Sequence, residues 1–382
     1  MRRKVHSFLM IKKLGTINAK ILHIYVIRLV RFFKYKFNFF IGNNVLNKIY
    51  YVVENKAWSI KNDGLSICNG IKNNKLQCQT IVNPKLLING IIHFGSANLF
   101  TAYGDYLRFG NQKIIVTFFH GDYGQSKSLD RNIDYLLNNL SRIDKIILSN
   151  RIMYQRMLEW GVDKAKMEII PIGVDLLLFN GPNQMTRTIV RKKLKISDNA
   201  IVVGSFQKDG DGWGEGLNPK MIKGPDIFIK VIQRLKKEHE IYVLLTGPSR
   251  GYIKKQLDEI GCKYSHIELS NYEEIPQYYK ALDYYLISSR EEGGPKSLME
   301  SWACGVPVIS TPVGMCNDLI NHTINGYLAD SFDPVDIALT LELAMSHNSK
   351  KVVSEALNDV KVFDWSVISL QYKDLYMGML DT

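Results

Sequence analysis

The sequence has no acidic residue before Glu54. Ahead of that point stand Arg2, Arg3, Lys4, Lys12, Lys13, Lys20, Arg28, Arg31, Lys34, Lys36 and Lys48, eleven positive charges with nothing to balance them. The formal charge of the 382-residue chain is +12, so the remainder, 12 − 11, carries only +1. Basicity therefore belongs to an N-terminal extension and the body is nearly neutral. That excludes the broad basic face expected of a nucleic-acid-binding fold. No CxxC pair occurs among Cys68, Cys78, Cys262, Cys304 and Cys316, and five is an odd number. Neither a zinc site nor a disulfide framework is readable from them, and a reducing cytosol is the plain expectation. With 46% hydrophobic and 23% charged residues, the chain has the makeup of a soluble globular protein and not of a disordered or fibrous one.

An uninterrupted apolar run is also missing. Residues 21–40 are crowded with Ile, Leu, Val, Tyr and Phe, but Arg28, Arg31, Lys34 and Lys36 break the run of about 20 that a spanning helix needs. A small-residue cleavage site of the signal-peptide kind is absent as well. Two arrangements fit residues 1–44: a basic amphipathic helix lying on an anionic membrane surface, or a helix packed on the body with its basic face in water.

What is present beyond the extension is alternation. Apolar, β-branched runs at Lys48–Val53, Ile91–Phe94, Lys113–Phe119 and Lys145–Ser149 read as parallel-sheet strands. Helical stretches at Leu129–Leu140 and Ile152–Trp160 separate them. The Gly-, Pro- and Asn-rich segment Asn180–Thr188 reads as a linker. A second alternation follows, with strands at Ala200–Gly204, Ile241–Leu245, Tyr284–Ser288 and Pro307–Ser310. The expected fold class is α/β, with two Rossmann-like, doubly wound halves. Ligands bind such sheets at the carboxyl ends of the strands, so two facing halves imply a cleft between them.

The segment Ser288–Thr311, SSREEGGPKSLMESWACGVPVIST, is the richest in chemistry. A strand delivers Ser288 and Ser289 to a loop containing Glu291, Glu292, Gly293, Gly294 and Pro295, and Lys296 and Ser297 open the helix that follows. Glycines let backbone approach a ligand, and the free N–H groups of a helix start suit a phosphate. Glu292 and Glu300 stand in E-x7-E spacing. Carboxylates repel phosphate but accept well from hydroxyls, so one suits a ribose diol and the other a sugar. Lys223–Gly224, and Lys208 in the Gly-rich loop before it, follow the strand Ala200–Gly204. In the first half, His120 in TFFHGDYG and His93 in IIHFGS sit where strands give way to Gly-containing loops. Asp122, Gly95, Ser96, Trp58 and Ser59 flank the same strand ends as candidate acceptor or first-half contacts.

This set resembles glycosyltransferase family 4, a retaining group with the GT-B fold. The likeness runs through Glu292, Glu300, Ala303, Cys304, Gly305 and Pro307–Ile309 to Gly314, Gly326, Tyr327 and Asp330, and includes Ile169–Phe179 upstream and Phe363–Tyr376 at the end. The resemblance implies that Glu300 holds the nucleotide ribose, that Glu292 holds the donor sugar and that His120 faces sugar and acceptor. It also implies Lys223 on the diphosphate, with Lys208 as the second cation in place of the family's Arg, and a last helix crossing back to the first half. Two cations can stabilise the charge of the departing diphosphate. Two departures stand out: Ser205 follows Gly204 where the family has Arg, and Glu54–Gly64 offers a single glycine where the family has a Gly-Gly loop. The implied organisation is an extension at 1–44, an acceptor half at 45–185, a donor half at 186–362 and the crossing helix at 363–382.

The function so implied is transfer of a sugar from a UDP- or GDP-sugar, with retention and without metal or cofactor, to a glycan or lipid-linked saccharide in polysaccharide or lipopolysaccharide biosynthesis. The enzyme would be cytoplasmic, peripheral on the membrane face if the extension binds lipid, and would not bind nucleic acid. The rivals are a nucleotide-sugar epimerase or phosphorylase on the same fold, and a membrane-binding module with a degenerate site.

Overall fold

The computed structural model describes residues 19, 21–36, 48–55, 59–72, 76–107 and 110–380. Trp58 and Lys20 lie outside the described residues, as does most of the extension. Two six-stranded sheets, all parallel, organise the chain. The first contains β1 (Lys48–Val52), β2 (Gln77–Ile81), β3 (Asn89–Phe94), β4 (Asn111–Thr117), β5 (Lys145–Leu148) and β6 (Met167–Ile169), in the order β2-β1-β3-β4-β5-β6. The second contains β7 (Ile201–Phe206), β8 (Ile241–Thr246), β9 (Lys263–Ile267), β10 (Tyr284–Ile287), β11 (Val308–Ser310) and β12 (Tyr327–Leu328), in the order β12-β11-β10-β7-β8-β9. Counted from its own first strand, this is the Rossmann order 3-2-1-4-5-6.

The central strands form because both their faces are covered. In β3, Ile91 joins an apolar core on one side while Ile92 and Phe94 join another. That period of two, apolar on both faces, is why these strands read as continuous hydrophobic runs. One core continues from the first sheet (Ile49, Tyr51, Ile115) through Ile172, Val174 and Phe179 to Met299 and Trp302 beneath the second. The two halves thus share apolar packing. The segment expected as a linker is short and docked: Gly181 N–H donates to the Ala303 carbonyl at 2.7 Å, and Asn183 caps the helix Gln184–Lys193.

The last helix, Trp365–Leu380, packs on helix Ser59–Ile71 of the first half. Glycine makes this possible at two places. A Cβ on Gly70 would overlap the Ser369 side chain, and one on Gly173 would overlap the Trp365 ring. His93 locks the contact. Its Nδ1 is 2.7 Å from the Tyr376 hydroxyl and its Nε2 is 2.8 Å from Thr117 Oγ1, with Tyr51 and Tyr372 packed beside the ring. His93 is fully buried, so it is a core histidine and not the acceptor contact its strand-end position suggested.

Two further expectations need correction. Cys68 and Cys78 form a disulfide across a Cα–Cα distance of 4.9 Å, tying helix Ser59–Ile71 to β2, where the sequence offered no readable pairing. The helix at 21–36 packs on the first half, but with the opposite face inward from the one expected. Arg28 donates to the Asp105 carbonyl at 2.8 Å, and Arg31, fully buried, donates to the carbonyls of Lys85 and Leu87.

Burial pushes the His93 imidazole down to about 3. Unfolded, it titrates near 6.5, so between those values the unfolded chain binds one more proton and stability falls as pH falls. The expected slope is about 1.4 kcal/mol per pH unit at most. Urea titrations between pH 7 and pH 4 should show His93→Gln less stable at neutral pH yet flatter with pH than the parent.

Candidate active site

Four loops meet at the carboxyl ends of the strands. The loop after β7 ends in the single turn Met221–Lys223, and Gly224 turns the chain into helix Pro225–Leu235 with φ +60°. A Cβ at Gly224 would overlap the Ser288 carbonyl oxygen, which is the physical reason for a Lys-Gly pair here. Lys223 is thereby laid against the loop after β10, with its Nζ 2.6 Å from Glu292 Oε1. Ser289 Oγ donates to the same oxygen at 2.9 Å. Burial pushes the Glu292 carboxyl up, but Lys223, His120 and the Ser289 hydroxyl outweigh it, so Glu292 lies below the ordinary carboxylate range.

His120 approaches Glu292 from the first half. Burial holds its imidazole below the usual value, Glu292 opposing and Lys223 assisting. Its Nδ1 is buried with no hydrogen-bond partner among the described residues. A neutral imidazole with an unused nitrogen therefore faces the acid–lysine pair. Lys208, in the same loop as Lys223, lies over the Trp213 ring at 4.4 Å from its centroid. Lys220 completes a cluster of three lysines; burial, then repulsion by Lys223 and Lys208, lowers its pKa. Sequence reasoning missed Lys220, although its place three residues before Lys223 was a usable signal. An arginine does reach Ser205, but from beneath: Arg250 donates to its hydroxyl at 3.0 Å and pairs with buried Asp209 at 3.3 Å, bracing the base of the lysine loop.

Glu300, on helix Lys296–Ala303, is 5% exposed and accepts from two tyrosines. Tyr272 donates to Oε1, and Tyr279 donates to Oε2 at 2.8 Å. Burial raises the Glu300 pKa against the pull of these hydroxyls. Neither tyrosine carried a sequence signal, since they lie 28 and 21 residues before the acid.

The glycines of the loop have a use that the sequence did not suggest. A Cβ on Gly293 would overlap the Phe119 carbonyl, and one on Gly294 would meet Met315 and Ile172. Asn150 Nδ2 donates to the Gly293 carbonyl at 2.7 Å. The Gly-Gly pair thus brings the second half's backbone onto the first half's. Pro295 precedes a helix whose first turn no side chain caps, and Ser297 lies beside Tyr285. Lys296 leaves the site to pair with Asp63 of the first half at 2.5 Å. Arg156 reaches Glu291 at 2.9 Å and Asp122 at 3.2 Å, so Asp122 belongs to an ion-pair group that joins the two halves. Gly95 packs against Tyr51 and Ile60, Ser96 caps helix Ala97–Tyr103, and Ser59 is exposed at a helix start. These three do not join the lysine–acid cluster.

The architecture is shared with solved structures. Anabaena HepE in complex with UDP and glucose superimposes with a TM-score of 0.70 at 15% identity, covering 87% of this chain and 99% of that one. Sucrose-phosphate synthase from Thermosynechococcus elongatus gives a TM-score of 0.69 at 17% identity, with the same 87% and 99% coverage. The fold is GT-B. Within that GT-B chain, residues 217–356 match the family model for glycosyl transferases group 1, a span holding Lys220, Lys223, Tyr272, Glu292 and Glu300. A D-inositol 3-phosphate glycosyltransferase of Xylanimonas cellulosilytica is 22% identical over 247 residues, 61% of this chain. An uncharacterized glycosyltransferase of Methanocaldococcus jannaschii is 28% identical over 164 residues, 42% of this chain. The matched stretches span 56% and 46% of those relatives' lengths.

Because Gly293 meets backbone, Gly293→Ala should force the halves apart. Overpacking of this kind typically costs about 1–3 kcal/mol, readable as a lowered urea midpoint. Gly181→Ala is a less crowded comparison, with no atom near its Cβ and strain from φ +82° alone.

Proposed function

We propose that the protein is a retaining, metal-independent glycosyltransferase of the family 4 type, acting on a nucleoside-diphosphate sugar and a hydroxyl acceptor. One observation carries this: Lys223 and Glu292 of the second half meet His120 of the first, with Lys208 and Lys220 beside them. Three lysines on one loop suit a doubly charged diphosphate, and two buried acids suit hydroxyls. The complexes of HepE with UDP and glucose, on the same fold, agree with this choice of ligand.

Binding would be an exchange of partners. Lys223 turns from Glu292 to the diphosphate, which frees Glu292 for the sugar hydroxyls. The ribose diol displaces Tyr272 from Glu300, and Tyr279 keeps the carboxylate in place. His120 offers its free nitrogen to the sugar or acceptor. In the transfer, the bond from the anomeric carbon to the diphosphate oxygen breaks. The acceptor oxygen bonds to that carbon on the same face, and its proton passes to the departing diphosphate. The lysines stabilise the charge that develops on the leaving group. Residues 45–185 would hold the acceptor and 186–362 the donor, a UDP- or GDP-hexose. A cell-surface glycan or lipid-linked saccharide is the proposed acceptor class, and polysaccharide or lipopolysaccharide assembly the setting. An epimerase would want more acid–base groups beside the acid–lysine pair, and with His93 sealed in the core, His120 is the histidine that meets that pair among the described residues.

Assays with radiolabelled UDP- and GDP-sugars test the assignment. Lys223→Ala should lower kcat by about 100- to 1000-fold, the usual effect of removing one donor to a developing anion. Because Glu292 loses its buried partner, the variant should also have a lower thermal midpoint, while its circular dichroism spectrum stays that of the folded parent. Glu300→Ala should abolish donor binding. Rates equal to the parent's in both variants would end the proposal. Tyr272→Phe removes a competitor for Glu300 and should tighten UDP or GDP binding by up to about tenfold, measured by calorimetry. Weaker binding would mean that Tyr272 supports the nucleotide instead of yielding to it.

A further inference from the structure

The helix at 21–36 presents its large apolar side chains to solvent. Leu22 is 65% exposed, Tyr25 62%, Leu29 57% and Phe33 63%, with Val26 beside them. The spacing 22, 25, 26, 29, 33 is one face of a helix. The opposite face is fixed to the body by its cations: Arg28 on the Asp105 carbonyl and carboxylate, Arg31 on the carbonyls of Lys85 and Leu87, and Lys34 on the Leu86 carbonyl at 3.3 Å. The polarity of the helix is therefore inverted relative to a surface helix, and an exposed apolar stripe of this length marks an interaction site.

Charge identifies the occupant. The segment before Glu54 has no acid, and removing the three cations spent on the body from its eleven leaves eight, among them Arg2, Arg3, Lys12 and Lys13. Lys36 is exposed at the end of the helix, on the same side as Leu22 and Leu29, where a long cationic side chain reaches headgroups. We infer that this helix is a membrane dock, laying the Leu22–Tyr25–Val26–Leu29–Phe33 stripe into the headgroup–acyl boundary of an anionic bilayer while its arginines hold the body. An apolar stripe in a segment with surplus positive charge is the recognition chemistry of an anionic lipid surface. The inference is independent of the sugar-transfer reading, because nothing in the cleft enters it.

Co-sedimentation of the full chain with phosphatidylcholine–phosphatidylglycerol vesicles, and with phosphatidylcholine vesicles alone, is the test. The parent should bind the mixed vesicles and release in high salt. The double variant Leu29→Glu/Phe33→Glu should bind at least about tenfold more weakly. Circular dichroism and the thermal midpoint should match the parent's, since both side chains are exposed. No binding by the parent, or equal binding by the double variant, overturns the inference. A parent that sediments as a dimer and becomes monomeric in the double variant also overturns it, by making a second copy the occupant.

Discussion

The contact on which the site depends is backbone against backbone. Gly293 brings the loop after β10 up to the Phe119 carbonyl with no side chain between, and Asn150 holds the Gly293 carbonyl at 2.7 Å. Glu292 immediately precedes this contact and His120 immediately follows Phe119. Closing the two backbones therefore places an acid and an imidazole from opposite halves next to each other. The ion pairs around it, Arg156 with Glu291 and Lys296 with Asp63, are partly buried. Such pairs return little net stability once desolvation is counted, and their plainer effect is to fix register. Apolar continuity through Ile172, Val174 and Phe179 supplies the cohesion, and the charges select one docking among those the apolar surfaces would allow.

Within the site, each of the charged groups proposed to meet substrate except Lys208 and Lys220 already has a protein partner of opposite or hydrogen-bonding character. Lys223 has Glu292, and Glu300 has Tyr272 and Tyr279. A buried charge without a partner is costly, so the fold stands without ligand by letting its functional groups satisfy one another. The consequence is that any ligand competes with internal contacts. Affinity then measures a difference between two sets of hydrogen bonds, and specificity arises where only the right ligand replaces every contact it breaks.

Much of this was legible in the sequence where a residue's use is local. The central strands announce themselves because burial on both faces demands consecutive apolar side chains. The Lys-Gly and E-x7-E patterns are set by one turn and one helix. The edge strands were not legible: β2 is QCQTI, β6 is MEI and β12 has two residues, since an edge position asks for little apolar surface. Nor could sequence separate two histidines at strand ends. His93 is sealed by Tyr376, 283 residues away, whereas His120 keeps an Nδ1 with no hydrogen-bond partner among the described residues. The Gly-Gly pair was read as room for a ligand, because the Phe119 backbone it meets belongs to the other half. The Cys68–Cys78 pairing depends on how helix Ser59–Ile71 lies against β2, which spacing does not encode.

The extension shows the same limit with the opposite sign. Composition favoured a basic face in water or against lipid headgroups. The chain between β2 and β3 instead presents the carbonyls of Lys85, Leu86 and Leu87 without strand partners, and those the helix covers need donors from it. A guanidinium carries five donors and no acceptor, so Arg31 answers two of those carbonyls from one side chain. Once the arginines are drawn inward, helical geometry leaves Leu22, Tyr25, Leu29 and Phe33 facing out. The apolar exposure is thus a direct consequence of satisfying the loop's backbone. Nothing within the described residues covers it, and the free energy of that exposed face is left to whatever surface meets it.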